Sequence, residues 1–118
     1  QFASSAASDV YKRQGQKGQF GQVNYAAAKA GMIGFSKALA LESAAKGITV
    51  NTVCPGYIET EMTGHMNQDV LDSIVKQIPV GRMGKPQEIA DVVSFLVSEK
   101  AAFITGATLS ANGGQYMA

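Results

Sequence analysis

The stretch that decides the fold of this chain is residues 22–31, QVNYAAAKAG, at the start of a long apolar segment. It places Tyr25 and Lys29 four residues apart, and on an α-helix that spacing puts two side chains on one face. A lysine ammonium near a phenol favours the phenolate, so we expect Lys29 to lower the pKa of Tyr25. A tyrosine with a lowered pKa can act as a general acid–base, which makes this pair a candidate catalytic site. The alternative is two exposed residues on an ordinary helix.

The segment around this stretch predicts a helix from about Asn24 to Ala45. Asn24 is a suitable N-cap, and Lys46-Gly47 supplies a cation in the last turn and a glycine just beyond it. Small and large apolar residues both recur along the helix, so apolar surface lies on more than one side. We therefore expect this helix to pack against its own sheet and against a helix of a second subunit. Before it, residues 15–22 contain three glycines and predict a loop.

After the helix, the sequence predicts an α/β alternation with parallel strands. Ile48–Cys54 is a β-branched run typical of a strand, and Pro55-Gly56 ends it. A second strand is expected over Ala107–Ala111, ended by Asn112-Gly113-Gly114. Since parallel sheets bind ligands beyond the carboxyl ends of their strands, we expect a ligand next to the segment that begins at Pro55.

Between the two strands we expect a lid and two helices. The lid, Thr60 to Pro79, carries a helix over about Gln68–Gln77, and the flanking Gly64 and Pro79 would let it move. Pro86 opens a further helix that continues to about Ser98, with proline at its first position and acidic residues in its first turn.

Composition excludes several classes of function. The chain has 118 residues, one domain at most, and a net charge of +1 with 16% charged residues provides no basic surface for nucleic acid. No apolar run approaches the roughly 18 residues that cross a bilayer, and Gln1–Ser5 lacks the pattern of a signal peptide. One cysteine, Cys54, fits a reducing cytoplasm and is expected to be a buried small residue. With one cysteine and one histidine, His65, we expect no metal site.

Four landmarks of the chain occur in the order found in short-chain dehydrogenases/reductases. They are Asn24-Tyr25-x-x-x-Lys29, Asn51-x-Val53-x-Pro55-Gly56, Thr60, and Thr105-Gly106 leading to Gly113-Gly114. From Gly15 to Ala118 the chain resembles the C-terminal part of a member of this family. The resemblance implies an α/β fold, the C-terminal part of a Rossmann-like doubly wound parallel sheet. That fold is truncated here, because the family's Gly-rich phosphate loop and its catalytic asparagine have no match in this sequence.

The resemblance also implies a role for each matching residue. Tyr25 would be the acid that protonates a ketone oxygen as hydride arrives, and Lys29 would lower its pKa and bind the nicotinamide ribose hydroxyls. The implied cofactor-binding residues are Tyr25, Lys29, Pro55, Gly56, Ile58 and Thr60. The implied residues of the acyl pocket are Gln19, Phe20, Gln22 and Tyr57. A helix N-cap is the alternative role for Thr60, and simple solvation is the alternative for Gln19 and Gln22. His65, Glu59 and Glu61 are expected to be solvated.

The chain departs from the family pattern at its start. The family's catalytic serine lies thirteen residues before the tyrosine, where this sequence has Lys12. We expect residues 1–14 to lie outside the resemblance to the family, because they resemble a translated sequencing adapter. We therefore expect a spurious segment over 1–14 and a family domain over 15–118.

The loop at residues 15–22, GQKGQFGQ, resembles that of NADPH-dependent acetoacetyl-CoA reductases, and 3-oxoacyl-ACP reductases are the next most similar group. The implied function is cytoplasmic reduction of a 3-oxoacyl thioester, acetoacetyl-CoA, to the (R)-3-hydroxyacyl thioester, with NADPH, in polyhydroxyalkanoate biosynthesis. One alternative is a 3-oxoacyl-ACP reductase of fatty-acid biosynthesis. Another is a non-catalytic fragment or a helix-mediated association module. The implied partners are a CoA or ACP thioester and further copies in a tetramer, with no nucleic acid, membrane or metal.

Overall fold

A computed structural model of the protein describes residues 19–117, and the side chains of residues 23–117. The elements are helix α1 (Gln19–Ser43), strand β1 (Thr52–Pro55), helix α2 (Gln68–Lys76), helix α3 (Pro86–Leu96) and strand β2 (Thr108–Ala111). Short 3₁₀ helices occupy Ala44–Lys46, Glu61–His65 and Glu99–Ala101. The two strands pair in parallel, so the predicted α/β class is confirmed. The predicted boundary between residues 1–14 and the rest lies outside the described residues.

Helix α1 already includes Gln19, the first described residue, whereas the sequence predicts a start at Asn24. The predicted loop is therefore wrong over residues 19–22, and the predicted N-cap is an interior helical residue. Glutamine is a good helix former, and a single interior glycine such as Gly21 costs only about 1 kcal/mol, which its neighbours can offset. The predicted stop is confirmed: Gly47 adopts a left-handed φ of 75°, and its N–H donates to the Ala44 carbonyl over 3.0 Å.

Strand β1 is shorter than the predicted Ile48–Cys54, because its partner β2 pairs only from Thr108, opposite Thr52. The segments that lead into the two strands are joined by the backbone bond from the Gly106 N–H to the Val50 carbonyl, over 2.7 Å, and by the side chain of Asn51. Asn51 donates from Nδ2 to the Ile104 carbonyl over 3.1 Å and accepts at Oδ1 from the Ala107 N–H over 3.0 Å. These bonds align the two strands at their amino ends and so set the parallel register.

The predicted helices between the strands are confirmed with small changes in their ends. Helix α2 ends at Lys76, and Asn67 is its N-cap, accepting at Oδ1 from the Asp69 N–H over 2.7 Å. Helix α3 begins at Pro86, as predicted, and ends at Leu96. No helix within residues 19–117 is long and apolar enough to cross a bilayer.

The core lies around β1, which contacts both α1 and α3, and among the described residues it is small. Among the described residues no large side chain is completely buried. The buried residues are Ser36, Ala40, Thr52, Val53, Cys54, Ile78, Met83, Leu96 and Ala101. Cys54 is buried, as expected. Several large apolar side chains are exposed, among them Phe35 on α1 and Phe103. The apolar surface that the sequence predicted on more than one side of α1 is therefore partly exposed among the described residues.

Candidate active site

Tyr25 and Lys29 lie one turn apart on α1, and both side chains are partly buried. The pKa of Tyr25 is raised above its ordinary value of 10.0, first by burial and second by electrostatic interaction with Cys54. Burial raises the pKa because the charged phenolate loses its hydration. The predicted net lowering of the Tyr25 pKa is therefore wrong for this chain, because burial determines the direction of the shift.

The Lys29 ammonium has an aromatic partner that the sequence analysis did not identify. Its Nζ lies over the ring of Tyr116, 4.6 Å from the centroid, within the range of a cation–π contact. Lys29 and Tyr116 are far apart in sequence, so no local spacing could have paired them. The only available signal was an aromatic residue shortly after the glycine turn that ends β2.

The turns that follow the two strands meet at the carboxyl edge of the sheet. The Gly56 N–H donates to the carbonyl of Ala111, at the end of β2, over 3.1 Å. A Cβ added to Gly56 would lie 2.6 Å from the Cβ of Asn112, so this contact requires glycine. Pro55 and Gly56 are therefore held firmly at the edge where a parallel sheet binds its ligands.

Ile58 follows this turn and forms an isolated parallel bridge with Gly84. Gly84 donates to the Tyr57 carbonyl over 2.9 Å and accepts from the Glu59 N–H over 2.8 Å. In a parallel bridge of this kind, bonding runs to the two neighbours of the opposite residue. The N–H and C=O of Ile58 itself therefore face away from Gly84 and provide one donor and one acceptor on the other side of the chain.

Thr60 occupies the N-cap position of the 3₁₀ helix Glu61–His65, which is the alternative that the sequence left open. Its N–H donates to Thr63 Oγ1 over 3.1 Å, and the Thr63 hydroxyl donates back to the Thr60 carbonyl over 2.7 Å. The side chain is exposed. A role in cofactor binding stays a prediction.

The structure describes the other predicted site residues to different extents. Tyr57 is partly buried beside Gly56, in the segment that leaves β1. The backbone of Gln19, Phe20 and Gln22 forms the first turn of α1, and their side chains lie outside the description. The expected solvation of Glu59, Glu61 and His65 is confirmed, since all three are exposed.

The candidate site contains a neutral proton donor, the Tyr25 phenol, and a cation, the Lys29 ammonium. It also contains the carboxyl edge of the sheet, where the turns after β1 and β2 meet. Tyr25 on α1 is close enough to Cys54 on β1 for their electrostatic interaction to raise the pKa of Tyr25. A phenol with a raised pKa is protonated at neutral pH, and it can therefore donate a proton to a carbonyl oxygen. A nearby ammonium would stabilise the phenolate that donation leaves behind.

Comparison with known proteins identifies relatives of this chain. The model of a family described as enoyl-(acyl carrier protein) reductase matches residues 9–115. The acetoacetyl-CoA reductase of Shinella zoogloeoides is 65% identical over 103 residues, which cover 86% of this chain and 43% of that protein. The acetoacetyl-CoA reductase of Rhizobium meliloti (strain 1021) is 65% identical over 105 residues, covering 88% of this chain and 44% of that protein. The 3-oxoacyl-[acyl-carrier-protein] reductase FabG of Escherichia coli (strain K12) is 59% identical over 103 residues, covering 87% and 42%. The chain thus spans less than half the length of the curated relatives it matches.

Proposed function

The chain belongs to the short-chain dehydrogenase/reductase family, and we propose that it is part of an NADPH-dependent reductase of 3-oxoacyl thioesters. The substrate proposed is acetoacetyl-CoA, and the product is the (R)-3-hydroxyacyl thioester. The names of the relatives support this proposal. Two of them are acetoacetyl-CoA reductases, and the third is a 3-oxoacyl-[acyl-carrier-protein] reductase. We also propose that the complete enzyme is a cytoplasmic homo-tetramer.

The observation that carries this proposal is Tyr25 as a protonated phenol, with Lys29 one turn further along α1. Reduction of a ketone needs a proton on the oxygen as the carbon accepts hydride. Tyr25 would give that proton, and its O–H bond would break as the new bond to the substrate oxygen forms. Lys29 would then stabilise the phenolate by its positive charge, since an opposite charge nearby favours the charged form of an acid.

The residues after β1 suit the nicotinamide end of a dinucleotide. Ile58 offers a backbone donor and acceptor together, which match the two polar atoms of a carboxamide. Pro55 and Gly56 would form the floor of the site, and Thr60 and Lys29 would bind the cofactor's polar groups. When bound, the reduced nicotinamide supplies the hydride. The phosphate-binding residues would come from the rest of the enzyme, because the sequence lacks the family's Gly-rich loop.

A chimera tests the proposal. Residues 15–118 would be joined to the part of the Shinella zoogloeoides reductase that they do not match, and NADPH oxidation with acetoacetyl-CoA would be measured. Tyr25→Phe should lower kcat by about 10²- to 10⁴-fold and leave KM nearly unchanged, because the proton is needed only in the transition state. Tyr57→Phe removes the same hydroxyl from a proposed pocket residue that donates no proton, so it should lower kcat much less than Tyr25→Phe does. Near-full activity of Tyr25→Phe would remove Tyr25 from the mechanism.

The choice of thioester is tested on the same chimera. CoA and acyl carrier protein present the same phosphopantetheine arm, so the proposed pocket residues Gln19, Phe20, Gln22 and Tyr57 would meet similar groups in both. We expect kcat/KM to be higher for acetoacetyl-CoA. A preference above about tenfold for acetoacetyl-ACP, some 1.4 kcal/mol in transition-state binding, would favour the alternative role in fatty-acid biosynthesis.

The 118-residue chain by itself should show no measurable NADPH oxidation with acetoacetyl-CoA. The physical reason is that a dinucleotide gains much of its anchoring from a phosphate-binding loop at a helix N-terminus, and this sequence does not contain one. Steady turnover by the purified chain would contradict this expectation.

A further inference from the structure

We propose that Tyr116 is a positioning residue that holds the Lys29 ammonium beside the active-site tyrosine. The direct observation is the Lys29 Nζ, which lies 4.6 Å from the centroid of the Tyr116 ring. The catalytic consequence of this contact rests on the proposed function, whereas the contact itself does not.

The Tyr116 ring projects from a well-built turn. Asn112 Nδ2 donates to the Tyr116 carbonyl over 2.8 Å, and Asn112 Oδ1 accepts from the Gly114 N–H over 3.0 Å. The Gln115 N–H donates to the Asn112 carbonyl over 3.2 Å. Gly113 and Gly114 have left-handed φ angles of 63° and 88°, which side chains other than glycine rarely adopt. The backbone of Tyr116 is thus placed by the sequence Asn112-Gly113-Gly114 that ends β2.

This turn is also fixed relative to the rest of the site. The backbone of Gly56, after β1, lies so close to Asn112 that no Cβ fits between them. On the other side, the Val80 N–H donates to the Gly113 carbonyl over 3.1 Å. The ring that meets Lys29 is therefore carried by the same packed edge that presents the proposed nicotinamide-binding residues. A displacement of this edge would move the ammonium and the cofactor site together.

An aromatic ring suits this positioning role better than a carboxylate would. A long lysine side chain loses considerable rotamer freedom when its ammonium is held in one place. The Tyr116 ring attracts the cation through its face without neutralising the positive charge. Lys29 therefore keeps its full charge for the phenolate of Tyr25 and for ribose hydroxyls.

Cys54 on β1 also acts on the pKa of Tyr25. Cys54 is unchanged in every variant of Tyr116, so its effect is the same in each comparison.

The test uses the chimera, with three variants. Tyr116→Phe keeps the ring, Tyr116→Leu removes it and keeps an apolar side chain, and Met117→Leu is the matched control at the exposed neighbour. The first readout is the NMR shift of the Lys29 ε-methylene protons, assigned by their loss in Lys29→Arg. The second is the pH profile of kcat, and the third is the melting temperature.

We expect an upfield ring-current shift of the Lys29 ε-methylene in the parent chimera, in Tyr116→Phe and in Met117→Leu, and its loss in Tyr116→Leu. Tyr116→Leu should also lower kcat by about two- to fivefold, the size of a partly exposed cation–π contact. The alkaline limb of its kcat profile should move to higher pH. A less well placed ammonium would stabilise the phenolate less, so Tyr25 would lose its proton at higher pH.

Three results would overturn the proposal. One is an ε-methylene without an upfield shift in the parent chimera. Another is a Tyr116→Leu profile that keeps the parent's alkaline limb even though the ring-current shift is gone. The third is a lowered melting temperature in Tyr116→Leu with no change in the alkaline limb of the kcat profile. That result would mean that Tyr116 only stabilises the fold. If every form of the chimera is inactive, the proposed function fails, and the NMR shift still decides whether Tyr116 holds Lys29.

Discussion

Tyr25 shows how the surroundings of one residue decide the direction of its pKa. Helical spacing places Lys29 one turn away, but the phenol is partly buried and lies near Cys54, and both effects favour the neutral form. The ammonium meanwhile lies over the Tyr116 ring. A neutral phenol is the state that a proton donor needs before reaction. The spacing of the two residues identifies the pair, whereas burial determines which protonation state is present.

The raised pKa of Tyr25 predicts a pH dependence at the residue scale. Because the folded pKa lies above the unfolded value of 10.0, the stability linked to neutral Tyr25 is fully present below pH 10. It is lost as the pH rises through the folded value. We expect Tyr25→Phe to remove this component from the alkaline loss of stability of the cofactor-free chimera, measured by urea unfolding between pH 8 and about 12. Tyr57→Phe serves as the control. Equal alkaline losses in the parent and in Tyr25→Phe would contradict the prediction.

Glu88 gives a second prediction, on the acid side. Its carboxylate accepts from both terminal nitrogens of Arg82, at 2.7 and 2.9 Å, and from the Lys85 N–H at 3.0 Å. Hydrogen bonding to Arg82, followed by that to Lys85, lowers the pKa of Glu88 from 4.5 to about 2. The linked stability is therefore present above pH 4.5 and is lost as the pH falls through about 2. The pair is about half-exposed, so its contribution should be small and should weaken with salt.

Urea unfolding of the chimera at a series of pH values measures this effect. The stability difference between the parent and Glu88→Gln should be largest near neutral pH and should vanish towards pH 2. Asp91→Asn is a suitable control, since it changes a carboxylate on the same helix that bonds only to the Gln87 side chain among the described residues. A difference that stays constant with pH would show that the Arg82 pair does not stabilise the fold.

At the scale of elements, the two strands are short, and their carboxyl ends are joined by the turns that follow them. Gly56 and Asn112 approach so closely that the Cβ of an alanine at position 56 would lie 2.6 Å from one atom of Asn112 and 2.8 Å from another. Those atoms are the Cβ and Cα of Asn112, which cannot move without moving the backbone. Each turn therefore depends on the other for its position.

Gly56→Ala should destabilise the chimera by about 1–3 kcal/mol, the usual cost of overpacking a tight contact. Gly64→Ala is the matched control: it lies further along the same connection, and an added Cβ would meet nothing within 4 Å. Thermal or urea unfolding of both variants measures the difference. If the two variants were equally stable, the turn at Gly56 would be able to move away from Asn112 without a loss of folding stability. The ring-current shift of Lys29 should also change in Gly56→Ala, because Asn112 holds the backbone of Tyr116.

At the scale of the whole molecule, the chain leaves much apolar surface uncovered. The exposed fraction is 69% for Phe35, 83% for Leu41 and 103% for Phe103. The small residues Ala26, Ala30 and Gly34 along one flank of α1 are also exposed, and a Cβ at Gly34 would meet nothing within 4 Å. Soluble monomers rarely leave large contiguous apolar patches in water. This supports the proposal that α1 packs against a helix of another copy in the complete enzyme.

We expect the chimera to be an oligomer, and the 118-residue chain alone to be poorly soluble or molten. Residues 19–117 form a small core and a sheet of two strands, and the unpaired edges of such a sheet promote aggregation. Light scattering and thermal melting test both parts. Gly34→Leu should reduce the oligomeric state of the chimera, with Gly34→Ala as the milder control. A monodisperse, cooperatively melting monomer of the chain alone would show that the faces of α1 were wrongly assigned.

The sequence by itself determined those features that depend on near neighbours along the chain. They include the stop at Gly47, after α1 and the 3₁₀ turn that follows it, the start of α3 at Pro86, and the one-turn separation of Tyr25 and Lys29. A left-handed glycine, a proline at the first helical position and the helical repeat act locally, so a short stretch is sufficient to predict them. The α/β class followed from the same local alternation of helix and strand.

Only the tertiary structure decided features that join distant parts of the chain. Strand β1 starts at Thr52 because β2 offers a partner only from Thr108, and the Lys29 ammonium meets a ring that belongs to Tyr116. The direction of the Tyr25 pKa likewise depends on burial and on Cys54. Pairing, burial and charge act through distances in space, and a local sequence pattern does not contain those distances.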